Sequence, residues 1–568
     1  MAIRAGRVAL IEQLVQDGLT TMFGNPGTVE QGFLDSLDRF PAMRYVLTLQ
    51  ESVAVLAADG YARATNGPAL VQLHSAPGIG NGVGALYQAK RGHAPLVVLA
   101  GDSGLRYLNL DAQMAADLVG MMEPVTKYAT MVTDPRSVLR TVRRAVKIAC
   151  TPPKGPVYVC LPMDVLDEPN DEPVFPSCVP STRVAPDPAL VEAAVGMLLR
   201  AETPMLFMGD GVVQSGASAE LARVAELLGA EVYGVDTGDL NLDSTHPLYA
   251  GTTGHMFGGS SLPITRKGDV NLVVGTYMLP EVFPELGDVW KAGARVIHFD
   301  LDAYEIAKNH RVDLGSVCDP KLGLAALAAA LEARMDASFR ERAAARAARI
   351  GGKKAEKLQA EKAQDEAQRG RLPLHMAEFA RTLSEHLPED ALLFDEALTN
   401  SPPLTRYLPP RVPGRYFVTR GGSLGVGIPG AIGAKIAHPD KVVVGFTGDG
   451  GAMYTIQALW SAARHRTGAK FVVCNNGSYR LLQLNIQAYW KDVRVEPHAF
   501  PLCFDLSKPP LRFDLMAQAM GVEAVRVERP EQIEPAVQRM VADDRPFLVD
   551  LVLEGNVHPE LIGVKCGQ

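Results

Sequence analysis

The sequence predicts an α/β protein built from three doubly wound, parallel-sheet domains, and three observations lead there. The chain has 568 residues, which is too long for one core and suits about three domains. Short apolar runs of strand length alternate with helical patterns along most of it, as parallel strands joined by crossover helices do. Two changes of composition, a Pro-rich passage at 166–188 and a charged run before 371, split that alternation into three blocks.

The first block, 1–180, opens with MAIRAGRVALIEQLVQDGLTTMFG, where apolar and charged residues alternate at helical spacing. It carries the runs PALVQLH (68–74) and APLVVLAG (94–101) and closes with GPVYVCLPMDV (155–165), a buried-strand pattern. The linker LDEPNDEPVFPSCVPSTRVAPDP follows. In the second block, 189–335, a helix precedes the strand candidates TPMLFMG (203–209), VNLVVGTY (270–277) and ARVIHFDLD (294–302). Residues 336–371 are rich in Ala and in both charge signs and read as a solvated helical connector. Its acidic residues are interleaved with the basic ones, which argues against a nucleic-acid role. The third block, 372–553, carries DALLFDEA (390–397), KVVVGFTGDG (441–450) and AKFVVCNN (469–476), and a tail runs over 554–568.

Hydrophobic residues make up 47%, charged residues 21%, and the formal net charge is −8. With no basic stripe, neither a nucleic-acid nor a membrane partner is expected, and small-molecule chemistry is the better starting point. Seven cysteines, widely spaced and without a CxxC pair, suit reduced thiols in a cytoplasmic protein rather than a disulfide frame or zinc site. No signal-peptide core and no span of about 18 apolar residues is present.

In open parallel sheets ligands lie beyond the carboxyl ends of strands. The strand VVVGFT runs into Gly448, Asp449, Gly450 and Gly451. Glycines there let backbone approach a phosphate closely, with the N–H groups of the next helix facing the anion. An aspartate among them makes sense if a divalent cation lies between it and the phosphate, and Mg²⁺ takes such oxygen ligands. Asn475 and Asn476 end the next strand, Asn476 falling 27 positions after Asp449, room for one strand–helix–strand crossover. A carbonyl from Ser478 is a third candidate ligand. A second GDG, at Gly209, Asp210 and Gly211, has no Asn pair after it and reads as an ordinary loop.

A GDG followed at this distance by NN resembles the diphosphate motif of thiamine-diphosphate-dependent enzymes of the pyruvate oxidase and decarboxylase group. The likeness spans nearly the whole chain and implies an order of pyrimidine-binding, central and diphosphate-binding domains. It implies thiamine diphosphate (ThDP) and Mg²⁺ as cofactors, with Asp449 and Asn476 as side-chain metal ligands and the Ser478 carbonyl completing the set. The same resemblance places Leu424 under the bent cofactor and Gly422 against its pyrimidine, and Tyr479 is a further cofactor-binding candidate. Glu396, Thr399 and Asn400 end a strand and are candidates for lining the diphosphate pocket. Flavin-containing relatives exist, so FAD in the central block stays open.

The first block gives an independent test. Glu51 sits between a strand and a helix, where any acid is favoured by the helix dipole. It is followed by Ala58-Asp59-Gly60-Tyr61-Ala62-Arg63, which resembles the A-D-G-Y-A-R segment after the family's catalytic glutamate. That likeness makes Glu51 the acid that hydrogen-bonds the aminopyrimidine ring and so promotes loss of the thiazolium C2 proton. GNPGT (24–28) and LHSAPGIGN (73–81) resemble stretches of benzoylformate decarboxylase. On that pattern His74 lies near the reacting carbon, able to pass a proton near neutrality, and Thr28 lies near a substrate carboxylate. GTYMLPEVFPELG (275–287) lacks the second histidine of that enzyme, and Tyr277 or Glu281 are its possible substitutes. DAQMAADLVGMMEPVTKY (111–128) is instead similar to acetolactate synthase and benzaldehyde lyase, with Gln113 at a glutamine position. Leu481, Leu482 and Leu484 are candidates for the substrate pocket, or for a core-facing helix stripe.

The expected function is a ThDP- and Mg²⁺-dependent lyase that decarboxylates a 2-oxo acid to an aldehyde and CO₂ through the C2 carbanion and enamine. The alternative is a carboligase or 2-hydroxyacyl lyase of the acetolactate synthase, benzaldehyde lyase or 2-hydroxyacyl-CoA lyase kind. A non-catalytic regulator of the same fold is the alternative of another class, and the joint presence of Glu51, Asp449 and Asn476 argues against it. The resemblance implies a homodimer as the minimum active unit and points to a homotetramer.

Overall fold

The computed structural model describes residues 3–557. Over that range three six-stranded sheets form, every strand pair within them parallel. The first sheet runs Arg44–Leu47, Thr21–Gly24, Ala69–Leu73, Leu96–Asp102, Val157–Pro162, Tyr128–Met131. The third runs Tyr416–Val418, Leu392–Glu396, Val443–Gly448, Lys470–Asn475, Phe547–Val552, Glu523–Val527. Numbered within each domain, both have the order 2-1-3-4-6-5, so the first and third domains share one topology. The middle sheet runs Tyr249–Thr252, Glu231–Gly234, Pro204–Met208, Val270–Val274, Arg295–Asp300, Leu314–Val317, which is the order 3-2-1-4-5-6. The expected three-sheet α/β architecture is the one observed.

Central strands such as Leu96–Asp102 and Val157–Pro162 are buried at every residue. Both faces of a parallel sheet are covered by crossover helices, which is why these strands read as unbroken apolar runs. The middle domain has its own core around Val224, Leu272, Phe299 and Leu327. The first and third domains instead share one: Val53, Ala57 and Leu86 belong to the same apolar cluster as Ile428, Ile432 and Phe471.

The shared core exists because two helices cross with almost nothing between their backbones. Helix Glu51–Thr65 packs on helix Gly427–Ala437, and small residues line the contact. A Cβ on Gly60 would stand 2.2 Å from the Gly430 carbonyl oxygen, and one on Gly433 would stand 1.8 Å from that of Ala57. Neither distance is compatible with any side chain.

The charged connector is a 32-residue helix, Ala337–Gln368. Its first turns are anchored by Phe339 and Ala343, which join the middle core. Farther along, Lys354 donates to the carbonyls of Ser244 and His246 at 2.6 and 2.7 Å. Near its end Asp365 pairs with both arms of its carboxylate to Arg406 of the third domain, at 2.6 and 2.7 Å. The helix is thus solvated on one side and docked on the other, a strut between the middle and third domains. The six cysteines among the described residues are free thiols. Among the described residues no helix is long and apolar enough to cross a membrane. The expected tail lies largely outside the described residues.

Gly433→Ala is expected to lower stability by about 1–3 kcal/mol, the usual cost of overpacking a tight contact. The check is the midpoint of urea denaturation, followed by intrinsic fluorescence, against the wild-type chain. An unchanged midpoint would show that the two helices can separate without loss.

Candidate active site

The order in which strands are added reverses between the first and third strands of the first and third sheets, and crevices open beyond the carboxyl ends of strands at such points. Each of the two crevices carries a cluster of polar groups.

In the third domain Gly448 and Cys474 are register partners on adjacent strands, so Asp449 and Asn476 emerge side by side. Asp449 accepts hydrogen bonds from the N–H of Gly450 at 2.8 Å, of Gly477 at 2.7 Å and of Asn476 at 3.1 Å. Burial pushes its carboxyl up to about 6, against the pull of these donors. The Asn476 side-chain oxygen accepts from the N–H and hydroxyl of Ser478 at 3.0 and 3.2 Å. The 477–479 turn is pinned from behind by Tyr479 N–H to Phe504 and Leu506 N–H to Gly477, both 2.9 Å. Tyr479 lies against Gly450, where a Cβ would come within 2.3 Å of its ring, while Gly448 has open space on that side. Asn475 turns away and donates to Asp550 at 2.9 Å, so only one residue of the Asn pair faces the crevice. A carboxylate, an amide oxygen and backbone carbonyls form an all-oxygen set, the chemistry a hard divalent cation takes.

Glu396 is fully buried. Its carboxylate accepts from Gly425 N–H at 2.6 Å, Gly427 N–H at 2.8 Å and the Thr447 hydroxyl at 2.9 Å. Burial pushes this group up to about 7. It therefore fixes the turn that carries Leu424, with Gly425 at a φ of +87° that favours glycine. Leu424 is half-buried and Gly422 exposed beside it. Thr399 and Asn400 are buried in the short turn Leu398–Asn400, and Gly451 packs on Thr447. On helix Arg480–Asp492, Leu484 is core, Leu481 half-buried and Leu482 exposed, so the leucines serve two faces.

In the first domain Glu51 is buried at the start of its helix, and its two oxygens accept from the amides of Asn25 and Asn81, each at 3.0 Å. Gly78 separates it from His74: a Cβ there would stand 2.7 Å from His74 Cβ and 3.1 Å from Glu51 Oε1. The backbone of Gly27 lies flat on the His74 ring, where a Cβ would fall 2.0 Å from Nδ1. His74 Nδ1 lies 3.1 Å from Glu30 Oε2. Thr28 is exposed on the turn between Gly27 and Glu30, and Gln113 is exposed on the 111–114 loop. Asn25, Asn81 and Glu30 were not singled out from sequence. The two asparagines stand inside GNPG and GIGN, yet nothing in those letters says that both turn onto Glu51.

This geometry agrees with the comparisons. Residues 4–122 match the thiamine pyrophosphate enzyme N-terminal TPP binding domain, 191–327 the central domain and 400–551 the C-terminal TPP binding domain. Benzoylformate decarboxylase from Pseudomonas aeruginosa is 31% identical over 96% of this chain and 98% of its own length. Acetolactate synthase large subunit from Lactococcus lactis is 26% identical over 98% of this chain and 93% of its own. Among solved structures, a thiamine diphosphate-dependent 4-hydroxybenzoylformate decarboxylase from Rhodococcus jostii has a TM-score of 0.83 at 26% identity, covering 98% of this chain and 100% of that one. The chain belongs to the thiamine pyrophosphate enzyme family.

In this thiamine pyrophosphate enzyme the middle domain reaches the cofactor-binding domains through buried charge. Asp210, in the GDG expected to be an ordinary loop, accepts from Gly238 N–H at 2.8 Å and the Asn241 amide at 3.0 Å, and pairs with Arg420 of the third domain. Arg420 also pairs with Asp236 at 3.2 Å. Arg63 of the first domain donates to Asp239 at 2.7 Å and to the Val418 carbonyl at 3.0 Å. That GDG is an anchor between domains, and Arg420 stands two residues before Gly422. The backbones of Gly211 and Gly275 also touch at the middle-sheet reversal, where a Gly211 Cβ would lie 2.7 Å from Gly275 Cα. Tyr277 is engaged by Arg91, which donates to its hydroxyl at 2.7 Å, and Lys308 sits 4.0 Å over its ring. Glu281 is buried and accepts from Ser261 at 2.6 Å. Both side chains that were candidates to replace the missing histidine thus have structural partners.

Removing one member of a buried ion pair costs about 3–5 kcal/mol, because the other charge stays buried. Arg420→Leu, which leaves Asp210 and Asp236 uncompensated, is expected to lose that much. Guanidinium denaturation read by circular dichroism checks it, and a loss below about 1 kcal/mol, the range of exposed pairs, would mean the pair is solvated.

Proposed function

We propose that the protein is a ThDP- and Mg²⁺-dependent lyase that decarboxylates a 2-oxo acid to an aldehyde and CO₂. The observation that carries this reading is the placement of His74 and Glu51 on either side of Gly78. A proton carrier stands one glycine away from the acid that serves the cofactor, on the same crevice as Thr28. Bound ThDP would supply an electron sink for breaking the bond next to a carbonyl. Glu51, aimed by Asn25 and Asn81, hydrogen-bonds the pyrimidine ring of the cofactor. Asp449, Asn476 and the Ser478 carbonyl hold Mg²⁺, and Gly448, Gly450 and Gly451 admit the diphosphate. Leu424 on its Glu396-fixed turn and Gly422 would hold the pyrimidine part of ThDP, and Thr399 and Asn400 would line the diphosphate pocket. Thr28 takes the substrate carboxylate, His74 returns a proton where CO₂ departs, and Leu481 and Leu482 line the acyl pocket.

A second reading, carboligation or its reverse, is favoured by one observation. The stretch 275–287 has no histidine, its Tyr277 accepts from Arg91 and its Glu281 accepts from Ser261, while Gln113 is exposed and able to hold an acceptor carbonyl. Product analysis decides between the two. Purified enzyme with ThDP and Mg²⁺ is offered benzoylformate, pyruvate or a branched 2-oxo acid, with and without an added aldehyde. Aldehyde and CO₂ without acceptor support decarboxylation; turnover only with acceptor supports carboligation.

Each half of the site is built within its own domain: Glu51 is held by Asn25 and Asn81, Asp449 by 450 and 476–477. Large apolar side chains near both halves are exposed, Leu49 beside Glu51, and Met453, Tyr454 and Leu482 near Asp449. We read this as two halves completed by a second copy, a homodimer at least and a homotetramer by likeness, working in the cytoplasm.

Glu51→Gln is expected to lower kcat by at least about 10²-fold, the range of a general acid–base group, with ThDP still bound. Asp449→Ala is expected to lose ThDP·Mg²⁺ affinity, read by quenching of tryptophan fluorescence. Mixing the two inactive variants after mild dissociation and reassembly tests the sharing. A site made of two chains regains up to about a quarter of wild-type activity in the mixture, because half the dimers are hybrids with one intact site. A site within one chain regains none.

A further inference from the structure

We propose that Glu30 is a positioning residue that fixes the tautomer and direction of the His74 imidazole, an inference that rests on the proposed role of His74. The geometry is that of a clamp. Glu30 Oε2 lies 3.1 Å from His74 Nδ1 and Oε1 lies 3.4 Å from it. Oε1 also accepts from the buried N–H of Gly101 at 2.9 Å. No side chain fits at that point, since a Cβ on Gly101 would stand 2.6 Å from Oε1. On the other face, the Gly27 backbone presses on the ring. The carboxylate is buried among Leu10, Val29, Phe33, Leu99 and Leu161, around a cavity of about 20 Å³. The side chains of Tyr45, Gln72, Tyr158 and Cys160 lie nearby, but the hydrogen-bond partners of the carboxylate are the imidazole and backbone N–H groups.

A carboxylate accepts and does not donate, so it selects the tautomer with the proton on Nδ1. Nε2 is then the nitrogen left to exchange a proton, with the Ser75 hydroxyl 3.4 Å from it. Glu30 is not placed to touch substrate; it acts through the ring, as the carboxylate behind a metal-bound or catalytic histidine does elsewhere.

Glu30→Gln tests the tautomer directly. Gly101 N–H requires an acceptor at one branch, so the amide oxygen goes there and the NH₂ faces Nδ1. That arrangement moves the ring proton to Nε2. ¹⁵N spectra of histidine-labelled holoenzyme, with the His74 signals assigned by their loss in His74→Ala, are expected to show protonated Nδ1 in wild type and in Glu30→Asp. The same signals should shift to protonated Nε2 in Glu30→Gln. With benzoylformate, Glu30→Gln is expected to lower kcat about 100-fold, within the range of general acid–base catalysis. KM and ThDP affinity should stay within about twofold, and Glu30→Gln should cost nothing further in the His74→Ala background, as for residues that act as a unit. An unchanged ¹⁵N spectrum in Glu30→Gln, or the same loss with and without His74, overturns the proposal. Because the spectrum needs no turnover, it separates a failure of this inference from a failure of the proposed reaction.

Discussion

The crossing of helices Glu51–Thr65 and Gly427–Ala437 is the contact on which the rest of the molecule depends. Backbone-to-backbone approach at Gly60, Gly430 and Gly433 leaves no gap between two sheets that would otherwise be separate domains, and their apolar faces fuse into one core. The same two helices begin at the sites. Glu51 starts one of them, and the turn from Gly422 to Gly427, held by Glu396, leads into the other. Any change in the crossing would therefore alter the packing and also shift the elements that carry Glu51 and Leu424.

The middle domain joins this unit in a different manner. Its core is separate, and it is bound to the others by guanidinium–carboxylate pairs: Arg420 with Asp210 and Asp236, and Arg63 with Asp239. Such pairs are directional where apolar packing is not, and they contribute to register more than to net stability. Asp59 belongs to this set, buried beside Arg63 at 3.7 Å, with burial raising its carboxyl to about 6. The A-D-G-Y-A-R segment thus gains a physical meaning. Ala58, Gly60 and Ala62 keep the helix thin along its length, Arg63 reaches the middle domain with Asp59 buried beside it, and Tyr61 packs against Phe23.

How much of this was legible in the letters depends on the kind of signal. Fully buried strands such as Leu96–Asp102 announce themselves, because both faces are apolar. Edge strands such as Tyr128–Met131 and Tyr249–Thr252 are half-exposed along their length and show no such run, and they were not foreseen. Asp449 and Asn476 were legible because register places the ends of neighbouring strands together, and register follows from chain distance. Glu30 was not, because its meaning lies in a contact with His74 across 44 residues. Asp210 shows the reverse case. The same three letters, GDG, end a strand in both domains, but at 210 the carboxylate meets Arg420 and the Asn241 amide, while at 449 it meets only backbone N–H. A carboxylate with a cation and an amide already in place is an anchor. One held by backbone donors alone still has a net charge to offer, and that difference, invisible in the motif, separates structure from chemistry.

The first and third domains share one topology but not one chemistry. Each offers one crevice at the same reversal of its sheet, but the side chains at the two positions differ in kind. The first supplies proton chemistry, a carboxylate held by two amides with an imidazole one glycine away. The third supplies oxygen ligands and open glycine backbone. A cofactor that has both a basic ring and a diphosphate requires both kinds at once, at its two ends. The tight crossing holds each domain's elements in place, with Glu51 bonded to Asn25 and Asn81 of the first domain and Asp449 to backbone of the third. The shared strand order repeats a position that suits ligands, and the side chains placed there differ in kind: a carboxylate beside an imidazole in the first domain, a carboxylate beside an amide and open glycine backbone in the third.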